Sequence, residues 1–400
     1  MLSFDEALQT VLAATDPVAA ERVSVFEAAG RILREDIHAR APLPGFDYSA
    51  MDGYAFRHAD LGPAPHRLSL VGTSSAGEPL SELAPKSACR IYTGAVIPNG
   101  ADTVIMQEEV RAEPATIEFD VAPSVGANIR KTGEDMAAGA LALRAGEELH
   151  PGRVALAACL DRATLVVARR PLVSVLGTGD ELRSPGEPGA LGSVVESNGF
   201  FVKAAAERAG ASARLHRFVR DSDGALDEAI ESALDGTDLL VTIGGVSVGD
   251  RDLVRPALER AGVVISFYKV AMKPGKPITF GRRGKTRVLG LPGNPASSSL
   301  TFLLFGLPLI RTMLGDTTSK PSFVRTAVQV PGGALRRKPG RTEFARARLI
   351  SADKGLQATL LPNQASGAVT SFAQAEALVR LDAEVELVRD GDELPVMKLW

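Results

Sequence analysis

Residues suited to holding a phosphorylated ligand recur through the middle of this chain in five clusters. They are Gly177-Thr178-Gly179-Asp180-Glu181, Arg220-Asp221, Gly244-Gly245-Val246-Ser247-Val248-Gly249-Asp250, Lys269 with Lys273-Pro274-Gly275-Lys276-Pro277, and Gly290-Leu291-Pro292-Gly293-Asn294-Pro295. Glycine turns allow backbone amides to approach an anion with no Cβ in the way, and lysines neutralise phosphate or oxyanion charge. Pro292 to Ser299 reads as a strand exit into a helix whose free amides and positive dipole end make an anion cradle. The acids Glu181, Asp221, Asp250 and Asp252 make sense beside phosphates when a hard divalent cation bridges them, since Mg²⁺ takes one or two carboxylates plus ligand oxygens. Each of them also has a plainer reading as a cap or a surface residue.

Three better-known chemistries fail on order or spacing. Gly245-Val246-Ser247-Val248-Gly249 matches a nucleophile elbow, but all five histidines (His38, His58, His66, His150 and His216) precede Ser247, whereas that fold needs its histidine afterwards. Gly284-Lys285-Thr286 looks like the end of a P-loop, yet position 279, where the first glycine should stand, is Thr279; a hairpin turn explains it better. Gly177-Thr178-Gly179 is followed by acids rather than by a third glycine opening a helix, so the dinucleotide fingerprint is missing.

These clusters need elements to hold them. From Pro171 to about Gly315 the pattern alternates strand and helix. Strands are expected over 172–176, 213–219, 238–243, 263–268 and 287–291; helices over 200–209, 225–234, 252–261 and 296–314, with Gly210 and Gly262 as stops. Alternation of this kind requires crossovers, hence a doubly wound, mostly parallel sheet covered on both faces, and ligands of such sheets bind beyond the strands' carboxyl ends. The flanks differ. Residues 1–45 and 133–168 carry helix-forming runs, including a capping box at Ser3 and Glu6, and form an expected N-terminal helical domain. Residues 46–132 read as an inserted β-rich domain, 169–318 as the α/β domain, and 319–400 as a C-terminal β-barrel with turns at Gly332-Gly333, Pro339-Gly340 and Gly391-Asp392.

Bulk properties narrow the function further. Four hundred residues exceed what one core usually supports, and a formal charge of −3, from 45 basic and 48 acidic residues, gives no global field for nucleic acid. The start of the chain lacks the order of a secretory signal, and the longest apolar run, Leu300 to Ile310, is too short to span a bilayer, so a soluble cytoplasmic protein without membrane partners is expected. Cys89 and Cys159 follow no ligand spacing and read as ordinary buried thiols.

With these motifs in hand, the chain resembles the MoeA family of molybdopterin molybdenumtransferases, related to the gephyrin E domain. The resemblance runs nearly end to end through Ser49-Ala50-Met51-Asp52-Gly53-Tyr54-Ala55, Tyr92-Thr93-Gly94, Gly133-Glu134-Asp135, Gly177 to Leu182, Gly244 to Asp252, Lys273 to Pro277 and Leu291 to Pro295. It implies an elongated homodimer of four-domain subunits whose α/β domain is a MoaB/Mog-like molybdopterin-binding domain. It also implies adenylylated molybdopterin as substrate, Mg²⁺ and molybdate, AMP as a product, and molybdenum left on the dithiolene sulfurs. Carried over by motif, Glu181, Asp221 and Asp252 position the cation and ligand, while Lys269, Lys273 and Lys276 bind anions. Gly177, Thr178, Gly179, Asp180, Gly244, Gly245, Ser247, Pro292, Gly293, Asn294, Pro295 and Ser297 would line the ligand. Asp52, Thr93 and Asp135 would act from the partner subunit, and Arg341 and Ser366 fall near positions used in the C-terminal domain. An adenylyltransferase and apo-molybdoenzymes are the implied protein partners. A tungstate-inserting paralogue and a non-catalytic pterin-binding scaffold stay open at this point.

Overall fold

The computed structural model describes residues 1–220, 223–245, 253–352 and 355–400, which form two compact units. One unit comprises Met1–Glu35, Ala145–Pro151 and Thr164–Trp400. The other comprises Asp36–Arg144 and Gly152–Ala163.

In the first unit, helix Phe4–Ala13 begins with the expected capping box: the Glu6 amide donates to Ser3 Oγ (3.3 Å) and the Ser3 amide to Glu6 Oε2 (2.8 Å). Its Phe4, Ala7, Leu8 and Val11 are buried, and Phe4 meets Phe305 and Phe344 edge-on. A ribbon, Ala20–Ser24 antiparallel to Thr164–Ala168, follows.

The central sheet has six strands in the order Ser212–Leu215, Leu172–Gly177, Leu239–Ile243, Thr286–Leu291, Pro277–Arg283 and Val264–Lys269. The first four run parallel, and Pro277–Arg283 is antiparallel to both of its neighbours. All five residues of Leu239–Ile243 are buried, as a strand covered on both faces must be. Leu239, Val241 and Ile243 face the cluster containing Val202, Ala205 and Leu300, while Leu240 faces Leu226, Ile230 and Leu258. Helices Asn198–Arg208 and Pro295–Met313 therefore cover one face and Asp223–Leu234 and Val254–Arg260 the other, the doubly wound arrangement.

Helix Pro295–Met313 contains a π-helical turn at Phe302–Gly306, where a Cβ on Gly306 would lie 2.3 Å from the Phe302 ring. By length and composition this helix could cross a membrane, but 83% of its most apolar stretch is buried inside the protein. Strands Val324–Gln329, Gly355–Leu360, Thr342–Ala352, Ala377–Leu381 and Glu393–Lys398 pair in a closed ring, the barrel expected at this end of the chain. Val328, Ala347, Ala358, Leu360, Val379 and Val396 belong to its core.

The second unit is built on another six-stranded sheet, in the order Thr103–Met106, Gly53–Phe56, Ser87–Ile91, His66–Ser74, Thr116–Phe119 and Arg111–Ala112. Gly53 is required there, because a Cβ would sit 1.9 Å from the Ile105 carbonyl oxygen. Helix Pro151–Cys159 and the pair Ile37–His38 with Leu141–Leu143 also belong to the N-terminal portion of the chain.

Three details differ from the sequence expectations. Pro277–Arg283 is a strand that the Lys-Pro-Gly-Lys-Pro run had concealed, and it forms the first arm of the hairpin whose turn holds Gly284 (φ 57°). The strand expected over 213–219 is confined to Ser212–Leu215, with only a single bridge from Val219 to Thr178 beyond it. Cys89 is buried, with its thiol pushed up to about 11 by burial, but Cys159 is exposed, not the buried thiol expected.

Candidate functional site

Because Pro277–Arg283 is antiparallel to strands on both sides, Val264–Lys269 runs the same way as the four parallel strands. Five strands thus deliver their carboxyl ends to one edge of the sheet, and the sixth starts there at Pro277. A hollow of about 790 Å³ lies at this edge. Gly177, Thr178, Gly179 and Glu181 from the first strand exit line it, with Gly244 and Gly245 from the second and Pro292, Gly293, Asn294 and Pro295 from the third.

The glycine turns are fixed chiefly by the packing of one exit against another. The Thr178 amide donates to the Ile243 carbonyl (2.8 Å) and the Gly244 amide to the Leu291 carbonyl (3.0 Å). A Cβ on Gly244 (φ 93°) would lie 2.5 Å from the Thr178 carbonyl oxygen; one on Gly245 (φ 62°) would lie 2.2 Å from Val254 Cγ2. Absence of a side chain here lets neighbouring strand exits close on one another while both glycines still line the hollow.

Glu181 is exposed at the rim; its carbonyl accepts the Val194 amide (2.7 Å), while its carboxylate, 2.7 Å from where a Gly179 Cβ would stand, has no bonding partner among the described residues. Glu196, which sequence reasoning missed, is buried in the wall; its carboxylate accepts the Gly199 amide (2.6 Å) at the start of helix Asn198–Arg208. Burial holds its carboxyl above the usual range, opposed by backbone donation from Gly199 and Asn198. Its signal in sequence was an acid just ahead of a helix start, a pattern shared by many structural caps. Asn198 Nδ2 donates to the Gly293 carbonyl (2.8 Å), tying that helix to the Leu291-to-Pro295 loop.

A second hollow of about 550 Å³ adjoins the first, sharing Pro277 and Asn294 with it. Its character is basic. Lys273, Lys276 and Arg341 line it together with Ser297 and Ser366, and among the described residues the one acid in its wall is Glu343. The lysine loop is anchored on both sides: Met272–Lys273 pairs in parallel with Thr342–Glu343 of the barrel, and a Cβ on Gly275 (φ 96°) would lie 2.4 Å from Thr301 Oγ1. Lys273 Nζ lies 3.0 Å from Glu343 Oε1, and the buried Arg337 Nε lies 3.3 Å from Oε2. Lys276 and Arg341 have no ion-pair partner among the described residues.

Behind this wall stands Arg346, 1% exposed, whose Nη2 donates to the Asn363 and Ala365 carbonyls while Nη1 finds no partner among the described residues. Burial depresses its pKa. Sequence reasoning passed over it because Arg346 looks like one of several strand arginines.

Not every expected residue joins this group. Lys269 sits over the Tyr268 ring (5.0 Å) and lines a separate hollow with Met1, Leu2 and Arg255. Asp180 is exposed and lies outside both linings. Asp221, Ser247, Gly249, Asp250 and Asp252 lie outside the described residues.

In the second unit, Asp52 Oδ1 accepts both the Thr93 amide and its hydroxyl (2.8 Å each), which lowers the Asp52 pKa. Asp135 is exposed on a loop whose amides, at Asp135 and Met136, donate to the Leu43 carbonyl. Asp47 holds the same loop through Lys131 and Thr132.

Comparison with known proteins gives the family. Residues 2–160 match the MoeA N-terminal region (domain I and II), 174–312 a probable molybdopterin binding domain, and 332–399 the MoeA C-terminal region (domain IV). A protein of Haemophilus influenzae named molybdopterin molybdenumtransferase is 37% identical over 99% of this chain and 98% of its own length. This chain belongs to the MoeA family. A Bacillus subtilis member with the same name is 34% identical over 98% of the chain and 93% of its own length. The crystal structure of a MoeA protein from Pyrococcus horikoshii superposes with a TM-score of 0.85 at 28% identity, covering 100% of both chains. Within the MoeA family match, both hollows are bounded by the probable molybdopterin binding domain and by the C-terminal region, which gives Arg341, Glu343 and Ser366 to the basic one and Gly367 and Val369 to the other.

Proposed function

We propose that the two adjoining hollows divide one reaction between them. Adenylylated molybdopterin occupies the glycine-lined hollow, molybdate occupies the basic one, and molybdenum passes to the dithiolene sulfurs as the phosphoanhydride breaks and AMP leaves. Membership of the MoeA family makes the chain an enzyme of molybdenum cofactor biosynthesis, a molybdopterin molybdenumtransferase. The observation that carries the finer reading is the shared wall: Asn294 and Pro277 border both spaces, so an oxyanion held by Lys273 and Lys276 stands next to a ligand held at the strand exits.

Catalysis in this reading is electrostatic positioning. Lysines, backbone amides and the start of helix Pro295–Met313 stabilise negative charge in a pre-set arrangement. Among the described residues no group of three acids, histidines or cysteines could hold a metal by itself. The Glu181 carboxylate, without a partner among the described residues, nonetheless offers the single carboxylate that Mg²⁺ needs beside ligand oxygens, with Asp221 and Asp252 as the other candidates. Bound Mg²⁺ would neutralise charge on the phosphoanhydride. Homodimerisation, with Asp52, Thr93 and Asp135 serving the partner's site, is part of the proposal, as are a cytoplasmic location and docking by an adenylyltransferase and recipient apo-molybdoenzymes.

The test is direct. Purified protein given adenylylated molybdopterin and Mg²⁺ should release AMP only when molybdate is added, and Glu181→Ala should abolish the release. Retention of the pterin with no AMP formed under any condition would leave a scaffold and remove the enzyme.

A further inference from the structure

A third space, about 420 Å³, opens beside the glycine-lined hollow and shares Ser197, Asn198, Pro295 and Val369 with it. Its remaining walls are unlike those of its neighbours. Phe201 and Phe372 meet edge to face (5.5 Å, 88°), Ala204 and Ala205 leave a flat stretch of helix, and the Trp400 indole closes one side. Trp400 is held in place by donation from Nε1 to the Ala375 carbonyl (2.9 Å), and the Arg208 guanidinium lies 5.5 Å from its ring centroid.

We propose that this groove seats the adenine base of the adenylylated substrate. The inference rests on the reading of the adjoining hollow given above, and three features carry it. The volume falls within the roughly 300–1,000 Å³ of small-molecule sites. Aromatic and small apolar walls suit the face of a flat base, which stacks on aromatic side chains whatever its hydrogen-bonding edge. Finally, the groove holds few polar groups: Asn198 already donates its amide to Gly293, which leaves Ser197, Ser299 and the Arg208 guanidinium stacked on Trp400, a cation suited to the face of a base. A pterin, with its amide and amino edges, would lose hydrogen bonds there, whereas the strand exits offer backbone groups; adenine loses less. One ring system at each end of a diphosphate matches two spaces joined along a common wall.

Trp400 is the only tryptophan in the chain and so reports on the groove. Titration of the full-length protein with AMP should quench or shift its emission, while inorganic phosphate at equal occupancy should not. Ala204 is exposed on the groove wall, so Ala204→Phe should fill the space without disturbing the core. We expect this variant to keep its thermal midpoint and its calorimetric affinity for inorganic phosphate, and to weaken AMP binding about tenfold or more, as loss of a stacked base requires. Turnover that still releases AMP, with Trp400 silent and the Michaelis constant for adenylylated molybdopterin unchanged in Ala204→Phe, overturns the adenine groove alone. Failure of the wild-type protein either to bind AMP or to release it overturns the broader reading as well.

Discussion

Replacing Glu343 by Gln should tighten binding of the oxyanion while weakening the fold, a pairing of signs that distinguishes this site from an ordinary salt bridge. In the basic hollow Glu343 is, among the described residues, the one acid lining the wall with Lys273, Lys276 and Arg341, and its carboxylate engages Lys273 at 3.0 Å and Arg337 at 3.3 Å. An anion resting about 3 Å from the far side of the Lys273 ammonium lies about 6 Å from Glu343, where one pair of unit charges repels by about 0.7–2.8 kcal/mol for an effective dielectric of 80 to 20. The hollow opens to water, so the lower part of that range applies, about 1.4 kcal/mol per charge or tenfold in affinity. Gln keeps the shape and an acceptor for Arg337 but removes the charge, and the loss of two charge-assisted bonds should cost about 1–3 kcal/mol of stability.

Isothermal titration with molybdate at low and high salt would measure the first effect, and urea unfolding the second. Lys273→Ala is the control of opposite sign: it should weaken molybdate binding. The benefit in Glu343→Gln should shrink as salt rises, since the screening length at physiological ionic strength, about 8 Å, is comparable with the separation. A molybdate dissociation constant that is unchanged or higher in folded Glu343→Gln, at low salt, would refute the placement of the oxyanion beside Lys273.

Other perturbations test the remaining walls. Gly245→Ala combines a left-handed backbone with a 2.2 Å approach to Val254, so it should lose roughly 2–5 kcal/mol in denaturant unfolding; a wild-type midpoint would contradict the packing of the turn. Glu196 has a folded-state pKa raised by burial, so its contribution to stability is greatest below the unfolded carboxyl value and is lost as pH rises through the folded one. Glu196→Gln should therefore gain stability relative to wild type between acid and neutral pH, and parallel pH profiles would argue against the raised value. Subunits carrying Asp52→Ala mixed with subunits carrying Glu181→Ala should recover part of the AMP-releasing activity if the dimer shares its sites, and no recovery would assign both residues to one chain's reaction.

Legibility in the sequence followed locality. Ser3 with Glu6, the stops at Gly210 and Gly262 and the Gly284 hairpin turn depend on neighbours within a few positions, and the structure holds them where the pattern pointed. Strand exits were readable because glycine and proline interrupt apolar runs such as Leu239–Ile243 at the sheet edge. What escaped was set by partners far along the chain. Pro277–Arg283 pairs on both sides, which no local pattern announces after two prolines and two lysines. Glu196 differs from a surface acid only through its burial, and Glu343 and Arg346 matter because the barrel carries them to the lysine loop and the wall behind it.

That long-range dependence gives the C-terminal barrel a physical role in the site. Lys273 belongs to a loop beside the α/β sheet, but its backbone is paired to Thr342–Glu343, and its ammonium is oriented by the Glu343 carboxylate. Glu343 is in turn held by Arg337, whose other donors reach the Asp382, Val385 and Arg341 carbonyls. A chain of bonds thus runs from the barrel's connecting loops to the cation nearest the proposed oxyanion. Preorganised charge is effective because it need not reorient when the ligand's own charge develops, and here the fixing agent lies in a different part of the sequence from the fixed lysine. A chain that lost the barrel would keep the Gly177-Thr178-Gly179 and Gly244-Gly245 turns, yet the Ala296 amide would lose the Ser366 carbonyl and Lys273 would be a solvated side chain with no set direction.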